Sequence, residues 1–299
     1  MQQLLHKAKE GDRRALARLI SLVENESDGY QELLKSMPVN NQVPVIGVTG
    51  PPGAGKSTLI SALLKKLTEE NPDVKIAVLA VDPSSPFTRG ALLGDRLRMN
   101  EHFNNPNIYI RSLATRGALG GLSARSIEVT DVLKASGFDY ILIETVGVGQ
   151  SEIDIVTLAD ITIVVLVPEA GDEIQTIKSG IMEIADIFVV NKSDREGANI
   201  MLKNLFTTLH ERPLAATPVE VVKTVASTGE GITELLHAIH NQQQYSTLKK
   251  HLLLAQQAYR LIQHYRMKDV NEEVLKEVLI SKSKEKDFNI YSFVQQYVK

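Results

Sequence analysis

The sequence predicts an α/β sandwich of three layers built on a mainly parallel sheet, extended by helices at both ends. Three observations lead there. Seven short runs rich in β-branched and aliphatic residues recur through the middle of the chain, most of them continuously apolar rather than alternating, and most are separated by helix-length segments. Strands covered on both faces read this way, because the crossover helices of a parallel sheet pack on both of its sides.

Taken in order, residues 3–36 place Ala15, Leu16, Leu19, Ile20, Leu22 and Val23, then Tyr30, Leu33 and Leu34, at helical spacing and predict two short helices. Pro38-Val39-Asn40-Asn41 breaks that pattern. The strand runs follow as Val43–Val48, Ile76–Val81, Ile108–Arg111, Tyr140–Ile143, Ile161–Val167, Ile187–Val190 and Val219–Val225. From Ile232 onward the pattern is helical throughout, with segments at Ile232–Gln244, about residues 246–267, Glu272–Ile280 and Ile290–Val298. This gives an N-terminal helical extension over 1–40, a central domain over 41–244 and a C-terminal helical arm over 245–299. Leu252, Leu254, Tyr259 and Ile262 in the arm leave apolar surface for the same chain or a second copy to cover.

Between the first strand run and the amphipathic stretch Thr58–Leu67 stands Gly50-Pro51-Pro52-Gly53-Ala54-Gly55-Lys56-Ser57, a complete G-x-x-x-x-G-K-S loop in the strand-then-helix setting the motif requires. That context argues against a chance match, and makes the central domain a P-loop nucleotide-binding sandwich. Its glycines let the backbone approach phosphate, and the amides after Gly55 open a helix whose positive end faces the anion. Lys56 adds charge toward the β- and γ-phosphates, and Ser57 offers a hydroxyl to Mg²⁺.

Composition narrows the partners. The 299 residues are 43% hydrophobic and 23% charged, with formal charge −3, pI near 6.2 and no cysteine. The charge balance disfavours nucleic acid and anionic membranes as partners, and the absence of cysteine excludes disulfides and thiolate metal sites. The opening residues carry no signal-like apolar run, so a cytoplasmic location is expected.

Which nucleotide is bound follows from Asn191-Lys192-Ser193-Asp194, placed directly after the run Ile187–Val190 at the carboxyl edge of the sheet. The Asp194 carboxylate can accept from the guanine N1–H and exocyclic amine, groups arranged differently in adenine, so GTP and GDP are the expected ligands. A second base contact is expected at Val225-Ala226-Ser227, where only the main chain of Val225 can serve. Glu144-Thr145-Val146-Gly147 resembles the Asp-x-x-Gly loop of GTPases with Glu in place of Asp. Glu144 would approach Mg²⁺ through water, and Gly147 would donate its amide to the γ-phosphate. Val148 stands where small GTPases carry a water-orienting Gln, so hydrolysis should be slow unless Gln150 or a partner supplies the missing group. Asp82 and Asp95 are further candidates for Mg²⁺ and water positioning, although an Asp before Pro or after Gly is also an ordinary turn former. His237 and His240 stand three apart on a helix but read as a solvated pair, since no third ligand is near in the sequence. Arg116, Arg125 and Lys178 are either phosphate contacts or surface charge.

Together, the phosphate loop through Thr58, Val81-Asp82-Pro83-Ser84-Ser85, Gly94-Asp95-Arg96, Glu144-Thr145-Val146-Gly147-Val148-Gly149-Gln150-Ser151-Glu152 and Gly171-Asp172-Glu173-Ile174-Gln175 resemble the ArgK/MeaB family of GTPases. The resemblance covers roughly residues 10–240. It implies a homodimeric G protein that acts as chaperone of adenosylcobalamin-dependent methylmalonyl-CoA mutase, gating cofactor loading and protecting the enzyme. It also implies that Asp82, Asp95 and Glu144 serve hydrolysis together with Lys56, that Gly171–Lys178 relays the partner's presence through Asp172, Glu173 and Lys178, and that the C-terminal helices form a dimerisation arm. Rival readings are a kinase or ATPase linked to amino-acid transport, a metal-insertion GTPase, and a non-hydrolysing interaction module.

Overall fold

A computed structural model describes residues 2–82, 96–114, 124–145, 154–168, 179–210, 218–285 and 287–297. Its centre is a seven-stranded sheet of β1 (Val45–Thr49), β2 (Ile76–Asp82), β3 (Ile108–Ala114), β4 (Tyr140–Thr145), β5 (Ile161–Leu166), β6 (Ile187–Asn191) and β7 (Glu220–Thr224). The strand order is β3-β2-β4-β1-β5-β6-β7, and every neighbouring pair is parallel. All seven expected strands are present, with ends shifted by up to three residues.

Helices cover both faces. On one, Ile46 and Val48 join a core with Leu59, Leu63 and Leu67 of α4 (Lys56–Glu70), Leu205 of α7 (Ala198–His210) and Leu235 and Ile239 of α8 (Ile232–Arg266). On the other, a Cβ at Gly47 would fall 2.4 Å from Ile155 and 2.9 Å from Ala159, so only glycine lets the 3-10 turn Ile155–Thr157 lie flat on β1. The remaining central helices are α5 (Ala124–Lys134) and α6 (Ser179–Ile184).

The N-terminal extension folds as three helices rather than two: α1 (Gln2–Lys9), α2 (Arg13–Glu24) and α3 (Tyr30–Ser36). Gly11 turns the chain at φ +94°, and the Asp12 carboxylate caps α2 by accepting from the amides of Arg14 and Ala15. The buried stripe of α2, Ala15, Leu16, Leu19, Ile20 and Val23, packs it inward.

The amino ends of the strands carry a repeated device. Asp139, Asp160 and Asp186 each precede a strand, and each exchanges two hydrogen bonds with the neighbouring one. Their carboxylates accept from the amides of Lys75 (2.8 Å), Val45 (2.9 Å) and Thr162 (2.9 Å), while their own amides donate back to the carbonyls of the same three residues. Each clasp fixes register, which in a sheet buried on both faces cannot slip without turning every side chain over.

The chain divides into two compact units, residues 1–254 and 255–299, the division falling within α8. In the first unit, α8 is held by the Lys249–Asp186 ion pair and by donation from Gln242 to the Pro218 carbonyl. The two tail helices expected at 232–244 and 246–267 are one continuous helix of 35 residues. The second unit contains the end of α8, α9 (Glu272–Lys282) and α10 (Ile290–Val294), with Phe293 buried beside Phe288 and Tyr297. Tyr259, Ile262, Val274 and Tyr291 lie exposed on it. Among the described residues, no helix is long and apolar enough to cross a membrane.

Candidate functional site

The expected site residues that are described lie at the carboxyl ends of β1, β2, β4, β6 and β7, the edge where open parallel sheets bind ligands. β1, Val-Ile-Gly-Val-Thr, is buried along its length and runs directly into the phosphate loop. Gly50 turns there at φ +137°, and a Cβ on it would fall 2.2 Å from the Val165 carbonyl oxygen. Gly55 is left-handed at φ +89° and starts α4, and its missing Cβ makes room for the Asn191 amide at 2.5 Å. The loop therefore depends on glycine at two points, against β5 and against β6. Ala54 is buried within it, while Pro52, Gly53 and Thr58 face solvent.

Lys56 is buried, and its ammonium donates to the carbonyls of Gly50 (2.8 Å) and Pro51 (3.0 Å), which holds its charge over the loop. Ser57 donates through Oγ to Glu144 Oε1 at 2.7 Å, with both side chains buried. A hydroxyl and a carboxylate side by side at a helix amino end form a hard-oxygen donor set. That suits Mg²⁺, which takes one or two protein oxygens and completes its octahedron with phosphate and water. Among the described residues no three His, Cys, Asp or Glu side chains come together to hold a metal. His237 and His240 are both exposed, and the ring of His240 lies 3.3 Å from the Tyr140 hydroxyl.

Asn191 connects the two halves of the site. It is 2% exposed, donates from Nδ2 to the Ala54 carbonyl (2.8 Å), and accepts at Oδ1 from the Thr224 hydroxyl (3.0 Å) and the Ala226 amide (3.1 Å). One side chain thus ties the phosphate loop to the loop after β7. Lys192 follows in the left-handed region at φ +55°, and the Ser193 amide bonds to the Thr224 carbonyl, turning the chain so that Asp194 emerges into solvent. Asp194 lines a surface hollow of about 590 Å³ with Ser193 and Arg195. In the loop after β7, the Val225 amide donates to the Glu230 carbonyl, and the Ala226 amide to Asn191. Val225 and Ala226 therefore have their main-chain donors engaged inside the protein, while Ser227 is exposed.

Asp82 ends β2, and nothing is described of its side chain. Asp95, Gly147, Val148, Gln150, Asp172, Glu173 and Lys178 lie outside the described residues, as does Arg116. Arg125 is engaged within the protein: it pairs with Glu26 (2.5 Å) and Glu128, and its guanidinium lies 5.3 Å from the centre of the Tyr30 ring. Burial alone would lower its pKa, but the two carboxylates outweigh that and hold it above the ordinary arginine value. The sequence reading missed two polar nodes at the site. Thr145 donates to Thr49 at 2.8 Å with both fully buried, and Ser61, one turn after Ser57, contacts Glu101 (2.5 Å) and His102 (2.8 Å). The Glu-Thr-Val-Gly motif contained Thr145, but its partner lies 96 residues away.

Known proteins resemble this chain in sequence and in fold. The profile of the family described as methylmalonyl-CoA mutase-associated GTPase MeaB matches residues 16–283. A candidate GTPase of Pyrococcus horikoshii is 47% identical over 250 residues, spanning 82% of this chain and 78% of that protein. A fused isobutyryl-CoA mutase of Geobacillus kaustophilus is 40% identical over 203 residues, 65% of this chain but 19% of that protein. The crystal structure of a LAO/AO transport system kinase is similar with a TM-score of 0.68 at 29% identity, covering 94% of this chain and 87% of that one.

Proposed function

Since the chain belongs to the MeaB family of methylmalonyl-CoA mutase-associated GTPases, we propose that its hydrolysis of GTP to GDP and phosphate works as a switch on an adenosylcobalamin-dependent acyl-CoA mutase. In this reading the GTPase acts as the mutase's chaperone, controlling cofactor loading and protecting the loaded enzyme from inactivation. The observation that carries it is the Geobacillus kaustophilus relative, in which a stretch like this chain occurs within a fused mutase. A GTPase joined to a mutase in one polypeptide is held at high effective concentration beside it, an arrangement with a use only if the two act on each other.

The roles follow the chemistry at the carboxyl edge of the sheet. Lys56 and the loop amides hold the β- and γ-phosphates, Asp194 and Ser227 read guanine, and Asn191 keeps the two subsites at a fixed spacing. Ser57 and Glu144, with Asp82 and Asp95, are the residues that would hold Mg²⁺, whose charge would offset that of the phosphate oxygens. Gly147, Gln150 and the stretch bearing Asp172, Glu173 and Lys178 are proposed as the parts that differ between GTP and GDP states. A partner must bind those states unequally to be switched by them. Homodimerisation through the exposed apolar residues of 255–299 and a cytoplasmic site of action complete the proposal.

The test is retention of a purified adenosylcobalamin mutase on immobilised protein loaded with GDP or with a non-hydrolysable GTP analogue. Retention should depend on the nucleotide, and phosphate release should rise when mutase is added, because Val148 leaves the isolated protein without a water-orienting Gln. Equal retention in both states and unchanged turnover would refute the switch. The similarity to a LAO/AO transport system kinase raises phosphoryl transfer as a second reading. γ-Labelled GTP separates the two, since label on a protein acceptor supports the kinase and free phosphate the hydrolase.

A further inference from the structure

The carboxyl end of β4 is fastened to β1 and the phosphate loop on both faces of the sheet. Val48 and Glu144 are register partners between β1 and β4, and Glu144 turns to the α4 face, where Ser57 donates to it. The next residues along, Thr49 and Thr145, turn to the opposite face and meet each other at 2.8 Å, both 0% exposed. On that same face, two residues earlier in β1, Gly47 admits Ile155 and Ala159. β1 therefore holds the chain at Thr145 through a hydrogen bond and at Ile155 through a contact that tolerates no Cβ, and then continues into Gly50.

We infer that the Thr49–Thr145 hydroxyl pair positions the end of β4 for hydrolysis, setting where Glu144 and the peptide after it stand relative to the phosphate loop. The inference rests on the GTPase reading. The two fastenings are chemically unlike. Ser57 is the hydroxyl a magnesium nucleotide would claim, so its bond to Glu144 belongs to the ligand cycle. The threonine pair is sealed from solvent, and its Thr49 stands directly before the phosphate loop, so it is the ligand-independent reference. Both hydroxyls are sealed from solvent and bonded to each other, which makes these positioning residues rather than catalytic ones.

The pair also has a property that separates positioning from plain stability. Removing one hydroxyl leaves its partner buried and unsatisfied, whereas replacing both with methyls of the same shape restores an apolar contact at little cost. Thr145→Val and Thr49→Val should therefore each lower the melting temperature, and the double variant should recover most of it. If the pair positions the reaction, kcat for GTP falls about three- to tenfold in both single variants, the range of one buried neutral hydrogen bond, and stays low in the recovered double variant. KM for GTP and the affinity for GDP should stay near wild type, and Thr145→Ser should keep wild-type kcat.

The experiment is steady-state phosphate release, GDP titration and thermal melting on the full chain for the four variants. Recovery of kcat together with melting temperature in the double variant would overturn the inference, as would equal losses in kcat and GDP affinity, or kcat within about twofold of wild type throughout. Where a single variant does not fold, the double variant and Thr145→Ser still decide. Absence of hydrolysis by the wild-type chain would instead strike the GTPase reading beneath it.

Discussion

Replacing Asn191 with alanine should uncouple the two halves of the nucleotide site while leaving every proposed phosphate and base contact in place. The side chain makes three hydrogen bonds, to the Ala54 carbonyl, the Thr224 hydroxyl and the Ala226 amide, from a position 2% exposed. At about 1 kcal/mol net for each, the loss is about 3 kcal/mol, and the partners left behind in a dry site push it upward rather than downward. If half of that is expressed in ligand binding, the GDP dissociation constant rises about tenfold; if all of it is, about a hundredfold. The part expressed in the unliganded fold lowers the melting temperature by about 2–4 °C per kcal/mol. Isothermal calorimetry with GDP and thermal melting with and without nucleotide measure the two shares. Asn191→Asp sharpens the test, because it keeps an acceptor for Thr224 and Ala226 but sets a second oxygen against the Ala54 carbonyl. Affinity within about threefold of wild type in Asn191→Ala, or full affinity in Asn191→Asp, would show that the bridge to Ala54 does nothing for binding.

Gly50→Ala should abolish nucleotide binding, since the new Cβ would stand 2.2 Å from the Val165 carbonyl at a φ of +137°, and GDP calorimetry reads it out; retained affinity would mean that the loop is not fixed against β5. Asp194→Asn should lose guanine affinity and gain xanthine affinity, because an amide can donate to the xanthine C2 oxygen where a carboxylate accepts from the guanine amine; competition between GDP and XDP checks it, and unchanged preference would remove Asp194 from the base site. Asp160→Asn tests a clasp by pH. Burial raises the Asp160 pKa, against the Val45 amide and the charges of Lys134 and Lys250, which lower it. The folded chain therefore holds this proton at pH values where the unfolded chain has released it, and the contribution of Asp160 to stability falls as pH rises through the raised pKa. Relative to wild type, the asparagine variant should be more favourable near pH 7 than near pH 4, in urea titrations at the two values; the opposite trend would mean that the carboxylate is stabilised by its charge.

The parts of this fold that were legible in the sequence are those fixed by neighbours in the chain. Val45–Thr49, the phosphate loop and α4 form one local unit whose residue types admit few other conformations, so motif and setting were read together. The strands were legible because burial on both faces leaves an unbroken apolar run. The apparent break in α8 came from the polar stretch Asn241-Gln242-Gln243-Gln244-Tyr245-Ser246, which contains neither Gly nor Pro and so does not stop a helix. Conversely, Gly11-Asp12 held both a turn former and a helix cap, and was the signal for the third N-terminal helix. The long-range polar contacts could not be read. Asn191 meets Ala54 across 137 positions, and Arg125 finds Glu26 in the N-terminal extension, because the order of strands in the sheet, not the order of residues, brings them together.

The two ends of the sheet are built for different tasks, and the difference bears on how a switch can work here. At the amino ends, Asp139, Asp160 and Asp186 lock β4 to β2, β5 to β1 and β6 to β5 with reciprocal bonds, so displacement there would break pairs of bonds at once. At the carboxyl ends the fastenings include single hydroxyl bonds between side chains, Ser57 to Glu144 and Thr145 to Thr49, and a hydroxyl can donate and accept at the same time. Ser57 illustrates the consequence: its hydroxyl donates to Glu144 and is also the oxygen proposed to meet Mg²⁺, so ligation can exchange one partner for another. Changes of state at such an edge can proceed by re-partnering single hydroxyls rather than by shifting strands. A sheet clasped at one end and adjustable at the other confines motion to the loops that touch nucleotide, where a few kcal/mol of differential ligand binding is enough to move a population.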